Sequence, residues 1–199
     1  MFPVLKERLS AMSESMIGYQ YQADHTDLMV ILNRKLGQGM SVRLIFDKNN
    51  FMESSCVRQA PRMQELYESG AEMRMLRPPY GGYSCMHVKT LVIDEEVILT
   101  GSVNMTHNGL EHNKEHLYCI TDPSAVGEVM ADFEKEWQDA EKVTEEIIAD
   151  MMARYDKKQE AKLKAKEERA QRSKSSRSVS RSASVEIEEP ADRDGFTSA

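Results

Sequence analysis

The sequence predicts an α/β domain in which helices flank a mixed, largely parallel β-sheet, followed by a helical extension and a disordered tail. Strand-like and helix-like apolar patterns alternate over residues 4–76, which is typical of parallel strands joined by crossover helices. Two further strand patterns flank a short acidic turn and indicate a hairpin. Beyond residue 156 the chain is rich in Lys, Glu and Ala and has no apolar face.

The first half of the chain contains most of the expected crossover units. In chain order we expect a helix over 4–15, a strand over 16–22, a helix from Asp24 or Thr26, a strand over 41–47, a helix over 58–69 and a strand over 71–76. Gly37 and Gly39 end the second helix. The loop 77–85, which contains Pro and Gly, leads directly into His87 and is a candidate wall of a site.

The second half begins with strands over 87–93 and 97–100, joined by a turn at 94–96, and continues with a buried strand over 116–120. Asp122 and Pro123 predict a helix start, as an N-cap and a first-turn proline. The core stripe of this helix consists of Val126, Val129, Met130, Phe133 and Trp137. A narrower stripe, suited to packing on a partner, continues it through Val143, Ile147, Met151 and Tyr155.

Charge is distributed unevenly along the 199 residues, whose formal net charge is -7. Residues 1–140 carry 13 basic and 20 acidic side chains, whereas 154–181 carry 11 basic and four acidic ones. An acidic body argues against general coating of nucleic acid, while the basic segment either attracts it or keeps the chain in solution. Three widely spaced cysteines (Cys56, Cys85 and Cys119) indicate free, buried thiols in a reducing compartment. No apolar run approaches the ~20 residues of a membrane helix.

The residues that carry chemistry lie between His87 and Glu115. Because side chains alternate along a strand, His87 and Lys89 are expected to share one face of their strand. Ser102 and Asn104 share a face of the adjacent strand if that strand stays extended, so the two strands direct all four side chains towards one patch. Neutral imidazole suits attack on a phosphodiester because it is uncharged and protonates near pH 7. A second imidazolium is needed to protonate the leaving oxygen.

Other polar residues near this stretch have simpler interpretations. Asp94 is a candidate catalytic residue, although closing the hairpin is the simpler role. His107, His112 and His116 lack cysteines at ligand spacing, so we assign them to a surface loop and predict no metal site. Three residues before the stretch either contact a phosphate or a base, or form a solvated rim: Arg74, Arg77 and Tyr80.

Written as a pattern, the stretch is His87-x-Lys89-x4-Asp94-x6-Gly101-Ser102-x-Asn104. It resembles the HKD signature of the phospholipase D superfamily at every position, and Asn113-x-Glu115 resembles the downstream Asn-x-Glu element of that family. The likeness is nearest to the single-HKD branch, which includes bacterial endonucleases and the mitochondrial cardiolipin hydrolases, also called Zucchini. It covers about residues 4–140.

The resemblance implies a role for each matching residue and a phospholipase-D-like fold. His87 would be the nucleophile that forms a phosphohistidine, Lys89 and Asn104 the phosphate ligands with Ser102 as a further donor, and Glu115 the group that orients a histidine. No metal or other cofactor is implied. The catalytic domain would span 1–142, without the strand that the family usually has before its first helix. A charged helical extension (143–170) and a disordered, Ser/Arg-rich then acidic tail (171–199) would follow.

One HKD motif supplies one histidine, so we expect a homodimer in which His87 of each subunit faces the other across a two-fold axis. The expected partner is a phosphodiester substrate: a cardiolipin-like phospholipid, reached by peripheral membrane contact without a transmembrane helix, or single-stranded nucleic acid. The expected location is intracellular, mitochondrial by resemblance alone and otherwise cytoplasmic. The alternatives are an endonuclease that cleaves RNA or DNA rather than lipid, and a non-catalytic binding protein with a vestigial HKD site.

Overall fold

A seven-stranded β-sheet runs through the domain in a computed structural model that describes residues 2–78 and 84–182, with only the backbone described at 54–56 and 172–182. The strands, in chain order, are β1 (Ser15–Gln20), β2 (Ser41–Asp47), β3 (Glu72–Leu76), β4 (Thr90–Ile93), β5 (Val97–Gly101), β6 (Leu117–Ile120) and β7 (Glu141–Lys142). Their order across the sheet is β6-β5-β4-β1-β2-β3-β7.

Helices connect and cover the strands. They are α1 (Phe2–Ala11), α2 (Thr26–Gly37), α3 (Lys48–Met52), α4 (Ala60–Glu68), α5 (Pro123–Asp139) and α6 (Glu145–Ser182). A 3₁₀ turn (Ser54–Gln59) precedes α4, and a π-helical turn (Asn108–His112) lies between β5 and β6. The chain divides into two units, Met1–Tyr155 and Asp156–Ala199, and the described part of the second is the rest of α6. Among the described helices, none has the length and apolar character needed to cross a lipid bilayer.

The sheet is mixed, as predicted, but its parallel part is smaller than the sequence indicated. β1 pairs with β2 and β2 with β3 in parallel, whereas the β1–β4, β4–β5, β5–β6 and β3–β7 pairings are antiparallel. The prediction of a largely parallel sheet was wrong because only the β1–β2 and β2–β3 pairs are neighbours joined by crossover helices. The next strand in the chain, β4, lies beside β1 and antiparallel to it, and the β4–β5 hairpin and β6 continue the sheet with antiparallel pairs.

Both faces of the sheet are covered, which explains the almost continuous apolar sequence of its central strands. In β2, Leu44 and Phe46 belong to the core cluster that includes α1, α2 and α4. The intervening Ile45 belongs to the cluster on the other face, with Phe133 and Trp137 of α5. The rings of Phe133 and Trp137 lie 5.4 Å apart by centroid, and helix α5 begins at Pro123 after an Asp122 N-cap, as predicted.

The apolar stripe that the sequence continued beyond α5 is interrupted by β7. The amide of Val143 donates to the carbonyl of Met73 at 2.9 Å, which fastens this segment to β3. Val143 and Met151 are buried in the α1–α2–α4 core cluster, and Tyr155 packs against it. The stripe therefore covers the core of its own domain rather than a partner. The backbone stays helical through Ser182, and 183–199 of the expected tail lie outside the described residues.

Asp94 ties the β4–β5 hairpin to the start of β1. Its carboxylate accepts hydrogen bonds from the backbone amides of Ser13 (2.9 Å), Glu14 (2.8 Å) and Ser15 (3.0 Å) and from the Ser13 hydroxyl (3.1 Å). In return, the Asp94 amide donates to the Ser15 carbonyl at 2.8 Å. The turn itself needs positive φ at Asp94 (52°) and Glu95 (55°), a conformation that Asp adopts more readily than most residues.

The Asp94 carboxylate should stabilise the fold in a pH-dependent way. Burial raises the pKa of Asp94, but the hydrogen bonds from Glu14, Ser13 and Ser15 outweigh burial and hold this pKa below its ordinary value of 3.8. Because the folded-state pKa is depressed, the contribution is present above pH 3.8 and is lost as the pH falls through the folded-state value. We expect Asp94→Asn to lower the free energy of unfolding at pH 7 by about 1–3 kcal/mol, since an amide replaces a charged acceptor.

Urea denaturation of wild type and Asp94→Asn at neutral pH and near pH 3 measures both effects. The difference between the two proteins should narrow at the lower pH. Glu96→Gln, an exposed change in the same turn, is the control and should unfold like wild type. An equal difference at both pH values would show that the charge on Asp94 contributes nothing.

Candidate active site

One edge of the sheet gathers five of the six candidate residues. β1, β2 and β5 end at this edge, and β4 and β6 begin there, as the strand pairings require. The segments just before β4, after β5 and before β6 carry His87, Lys89, Ser102, Asn104 and Glu115. Asp94 lies at the opposite edge in the β4–β5 turn. Its hydrogen bonds to the start of β1 are those of a structural group rather than a participant at the other edge.

His87 and Lys89 do not lie on a strand, contrary to the strand expected over 87–93, because β4 begins only at Thr90. Strand alternation therefore does not set the directions of their side chains. Lys89 turns back so that its Nζ donates to the His87 carbonyl at 2.7 Å, and its side chain is buried while His87 is exposed. The Tyr21 ring nevertheless contacts both side chains. Its centroid lies 4.8 Å from that of the His87 ring and 5.3 Å from Lys89 Nζ.

The electrostatic surroundings favour the neutral form of His87. Partial burial, followed by the positive charge of Lys89, lowers the pKa of His87, against a smaller opposing effect of Asp47. Burial also lowers the pKa of Lys89, opposed by Cys85 and Glu115. At neutral pH this arrangement leaves an unprotonated imidazole nitrogen accessible beside a cationic amine.

Glu115 is the centre of a second group of polar side chains. Its carboxylate accepts one hydrogen bond from the Ser102 hydroxyl and another from Asn113 Nδ2, the latter at 3.1 Å. Ser102 Oγ in turn accepts the backbone amide of His116 at 3.1 Å. The hydrogen bonds from Ser102 and then Asn113 lower the pKa of Glu115, so the carboxylate is ionised at neutral pH. Lys89 adds a weaker attraction that links this group to His87.

Asn104 opens onto a polar pocket next to this group. The lining residues are Gln22, Asp24, Arg58, Gln59, Asn104, Thr106, Asn108 and Asn113. Gln59 is only 2% exposed, and its Oε1 accepts the Ala23 amide at 3.1 Å while its Nε2 has no hydrogen-bond partner. Asn104 Oδ1 is likewise buried without a partner. The pocket thus presents one unpaired donor and one unpaired acceptor, which suits a polar group of a ligand.

A second pocket, on the α5 side of His87, has a different character. Besides His87, its polar lining residues are Arg77, Cys85, Asp132, Lys135, Glu136 and Asp139. Its three carboxylates outnumber its two basic side chains, Arg77 and Lys135, so this lining is negative on balance. The pocket beside Asn104 has one acidic and one basic lining residue, Asp24 and Arg58, and therefore repels a phosphodiester less.

Several residues near the site differ from their sequence-based interpretation. Arg74 lies over the Trp137 ring and donates to backbone carbonyls at the end of α5, so it is a packing residue. Cys85 and Cys119 are exposed rather than buried, because one lies in the loop before β4 and the other on the edge strand β6. β6 itself is exposed, with Tyr118 59% exposed, and is not the buried strand that was expected. Tyr80 lies outside the described residues.

Sequence reasoning missed Tyr21, Asp47 and Gln59. Tyr21 and Asp47 lie at the carboxyl ends of β1 and β2, and parallel strands bring such ends to one edge, so strand order alone could have indicated them. Asp47 is buried and accepts the Met86 amide at 2.8 Å, which fixes the residue before His87. No sequence pattern indicated Gln59, because its position depends on the 3₁₀ turn before α4.

An accessible imidazole, a buried amine and a polar pocket on an α/β sheet edge define a site suited to phosphate chemistry. Residues 5–137 match the family model described as the PLD-like domain of cardiolipin synthase. This match covers more than half of the chain, and the protein therefore belongs to the phospholipase D superfamily, a family of phosphodiesterases.

Individual relatives agree with this assignment. The mitochondrial cardiolipin hydrolase of Xenopus tropicalis is 33% identical over 102 residues, which are 51% of this chain and 44% of that protein. This chain thus spans less than half the length of that relative. NucT from Helicobacter pylori superposes with a TM-score of 0.60 at 19% identity, over 71% of this chain and 90% of that one. Nuc from Salmonella typhimurium, a phospholipase D family member, gives the same TM-score at 18% identity and the same coverage. These two likenesses show a shared fold.

The charge of Lys89 should be measurable at His87. We expect Lys89→Met to raise the pKa of His87, because the substitution removes the cation that opposes protonation of the ring. Titration of the histidine Cε1–H resonances by NMR measures this shift. Lys89→Arg is the charge-preserving control, and the exposed His112 is an internal reference in each sample. A His87 pKa that stays unchanged in Lys89→Met would contradict this electrostatic account.

Proposed function

We propose that this protein hydrolyses a phosphodiester without a metal ion, in two steps, with His87 as the nucleophile. The superfamily supports the reaction class. The observation that carries the proposal is that His87 is an exposed residue beside Lys89 and that desolvation and the charge of Lys89 lower its pKa. An imidazole that is unprotonated at neutral pH is the form that attacks phosphorus.

In the first step a His87 nitrogen forms a bond to phosphorus while the bond to the leaving oxygen breaks. That oxygen takes a proton from a second imidazolium. In the second step water attacks the phosphohistidine, gives its proton to the same second imidazole and releases His87. Lys89, Ser102 and Asn104 would hold the non-bridging oxygens, on which negative charge is concentrated in both transition states.

The second imidazole is proposed to be His87 of a second subunit. Within the described residues the ring contact of His87 is with Tyr21 rather than with another histidine. The ring is exposed, and so is the adjacent Val88 at 45%. A two-fold axis near this surface would bring the two rings together and cover Val88. Glu115, which binds Ser102 and Asn113 within one chain, would be available to orient a histidine across the axis.

Two substrate classes are supported by different observations. The cardiolipin hydrolases among the relatives favour a cardiolipin-like phospholipid, and with it a mitochondrial location and contact with a membrane surface. The pocket beyond Asn104 favours single-stranded nucleic acid instead. Its lining consists of five side-chain amides, one hydroxyl and two charged groups, which fit a base or a sugar better than an acyl chain.

Removal of the nucleophile should abolish hydrolysis of the true substrate. We expect wild type to cleave one of three substrates in the presence of EDTA: cardiolipin liposomes, single-stranded RNA or duplex DNA. Because no other group replaces the attacking nitrogen, His87→Asn should reduce the rate at least about 10³-fold. His112→Asn makes the same change at an exposed loop histidine and should retain full activity.

The outcomes separate the candidate functions. Cleavage confined to one substrate identifies its class. Activity that EDTA abolishes without any change in the unfolding temperature would contradict the metal-independent mechanism. Binding of a substrate without cleavage, unaffected by His87→Asn, would instead support a non-catalytic binding protein.

The two-subunit site predicts a dominant effect of the inactive variant. If each active site needs His87 from both chains, equal amounts of wild type and His87→Asn that exchange freely leave about one quarter of the dimers with a complete site. Specific activity per wild-type chain should therefore fall to about half. The measurement is activity after denaturation and joint refolding, with sedimentation to confirm the dimer. An unchanged activity per wild-type chain, or a fully active monomer, would contradict the shared site.

A further inference from the structure

A cluster of metal-ligating side chains lies at the start of α2, separate from the group around His87. Its members are His25, just before α2, and His107 and Glu111 from the segment that follows β5. One donor atom of each residue lies within 4.8 Å of the donor atoms of the other two. Sequence reasoning paired His107 with His112 and His116 instead, because His25 is 82 residues away in the chain.

The donor geometry suits a transition-metal ion. Glu111 Oε1 lies 3.1 Å from His25 Nε2 and 3.7 Å from His107 Nδ1. A tetrahedral zinc ion with bonds of about 2.0–2.2 Å places neighbouring donors roughly 3.4 Å apart, between these two distances. Two imidazoles and one carboxylate match the preference of Zn²⁺, whereas Mg²⁺ and Ca²⁺ take oxygen ligands.

The surroundings hold two of the three donors in place. His25 is only 1% exposed and is packed between two rings, with centroids 4.6 Å away for Phe2 and 4.3 Å away for His107. In this structure His107 Nε2 accepts the backbone amide of Thr26 at 3.4 Å and lies 3.3 Å from the Thr26 hydroxyl; binding of metal at Nδ1 would move the ring proton to Nε2, with that hydroxyl as its acceptor. A hydrogen bond of this kind to the distal nitrogen is the usual support of a metal-bound histidine.

We propose that His25, His107 and Glu111 form a binding site for a divalent transition metal, with Zn²⁺ as the best fit. The fourth position of the ion is left to water. The ion joins the segment after Asn104 to the start of α2. The amides of Asp24 and His25 already donate to the Met105 carbonyl there, each at 3.0 Å. The site is a structural clamp on the segment that carries Asn104, and it takes no part in the steps at His87.

Zinc titration of the full chain tests the proposal independently of any catalytic activity. Protein treated with EDTA and desalted is titrated with ZnCl₂ by calorimetry, and its unfolding temperature is measured with and without Zn²⁺. We expect one equivalent bound per chain and a higher unfolding temperature with Zn²⁺. His107→Gln and Glu111→Gln change half-exposed ligands and should weaken binding by at least the roughly 10–100-fold that loss of an outer-shell partner costs.

Three controls assign the bound ion to this cluster. His112→Gln, on the same turn, and His87→Asn should both bind Zn²⁺ like wild type. The absorption spectrum of the Co²⁺ complex should lack a thiolate charge-transfer band, which excludes the exposed Cys85 and Cys119 as ligands. The proposal is overturned if wild type binds no Zn²⁺, if the ligand variants bind it as wild type does, or if His87→Asn abolishes binding.

Discussion

The antiparallel register of β4 between β1 and β5 is the constraint on which the site depends. It places the segment that carries His87 and Lys89 beside Tyr21, at the end of β1, and beside the segment that follows β5. The register is fixed at the far edge, where the Asp94 carboxylate binds three consecutive backbone amides at the start of β1. A slip of one residue would break these hydrogen bonds and turn every β4 side chain to the opposite face. The third residue of the HKD pattern therefore supports the other two from a distance.

The two polar groups at this edge differ in charge. Burial lowers the pKa of both His87 and Lys89, and the charge of Lys89 lowers the pKa of His87 further, so this edge holds a neutral imidazole beside a cationic amine. Glu115 is held as an anion by Ser102 and Asn113. A bound phosphodiester would raise the pKa of Lys89, because its negative charge favours the cationic form of the amine. If His87 is the nucleophile, as proposed, a second imidazole must protonate the leaving oxygen, and a second copy of the chain would supply it.

Sequence patterns predicted the elements whose signal is local. The start of α5 at Asp122 and Pro123, the strand over 41–47 and the hairpin turn at Asp94 all follow from neighbouring residues. The motif also predicted which residues meet at the edge. Two features could not be predicted because they depend on distant contacts. They are the pairing of β7 with β3, which interrupts the apolar stripe after α5, and the exposure of β6 as an outermost strand of the sheet. The pairing of His25 with His107 arises only when the end of β1 meets the segment after β5.

The stereochemical course at phosphorus tests the central claim, a covalent intermediate on His87, most directly. A substrate made chiral at phosphorus with sulfur and oxygen isotopes reports whether each displacement inverts the centre. Two successive in-line displacements, first by His87 and then by water, predict net retention of configuration. Net inversion would mean that water attacks the phosphodiester directly, and it would contradict the role of His87 as nucleophile.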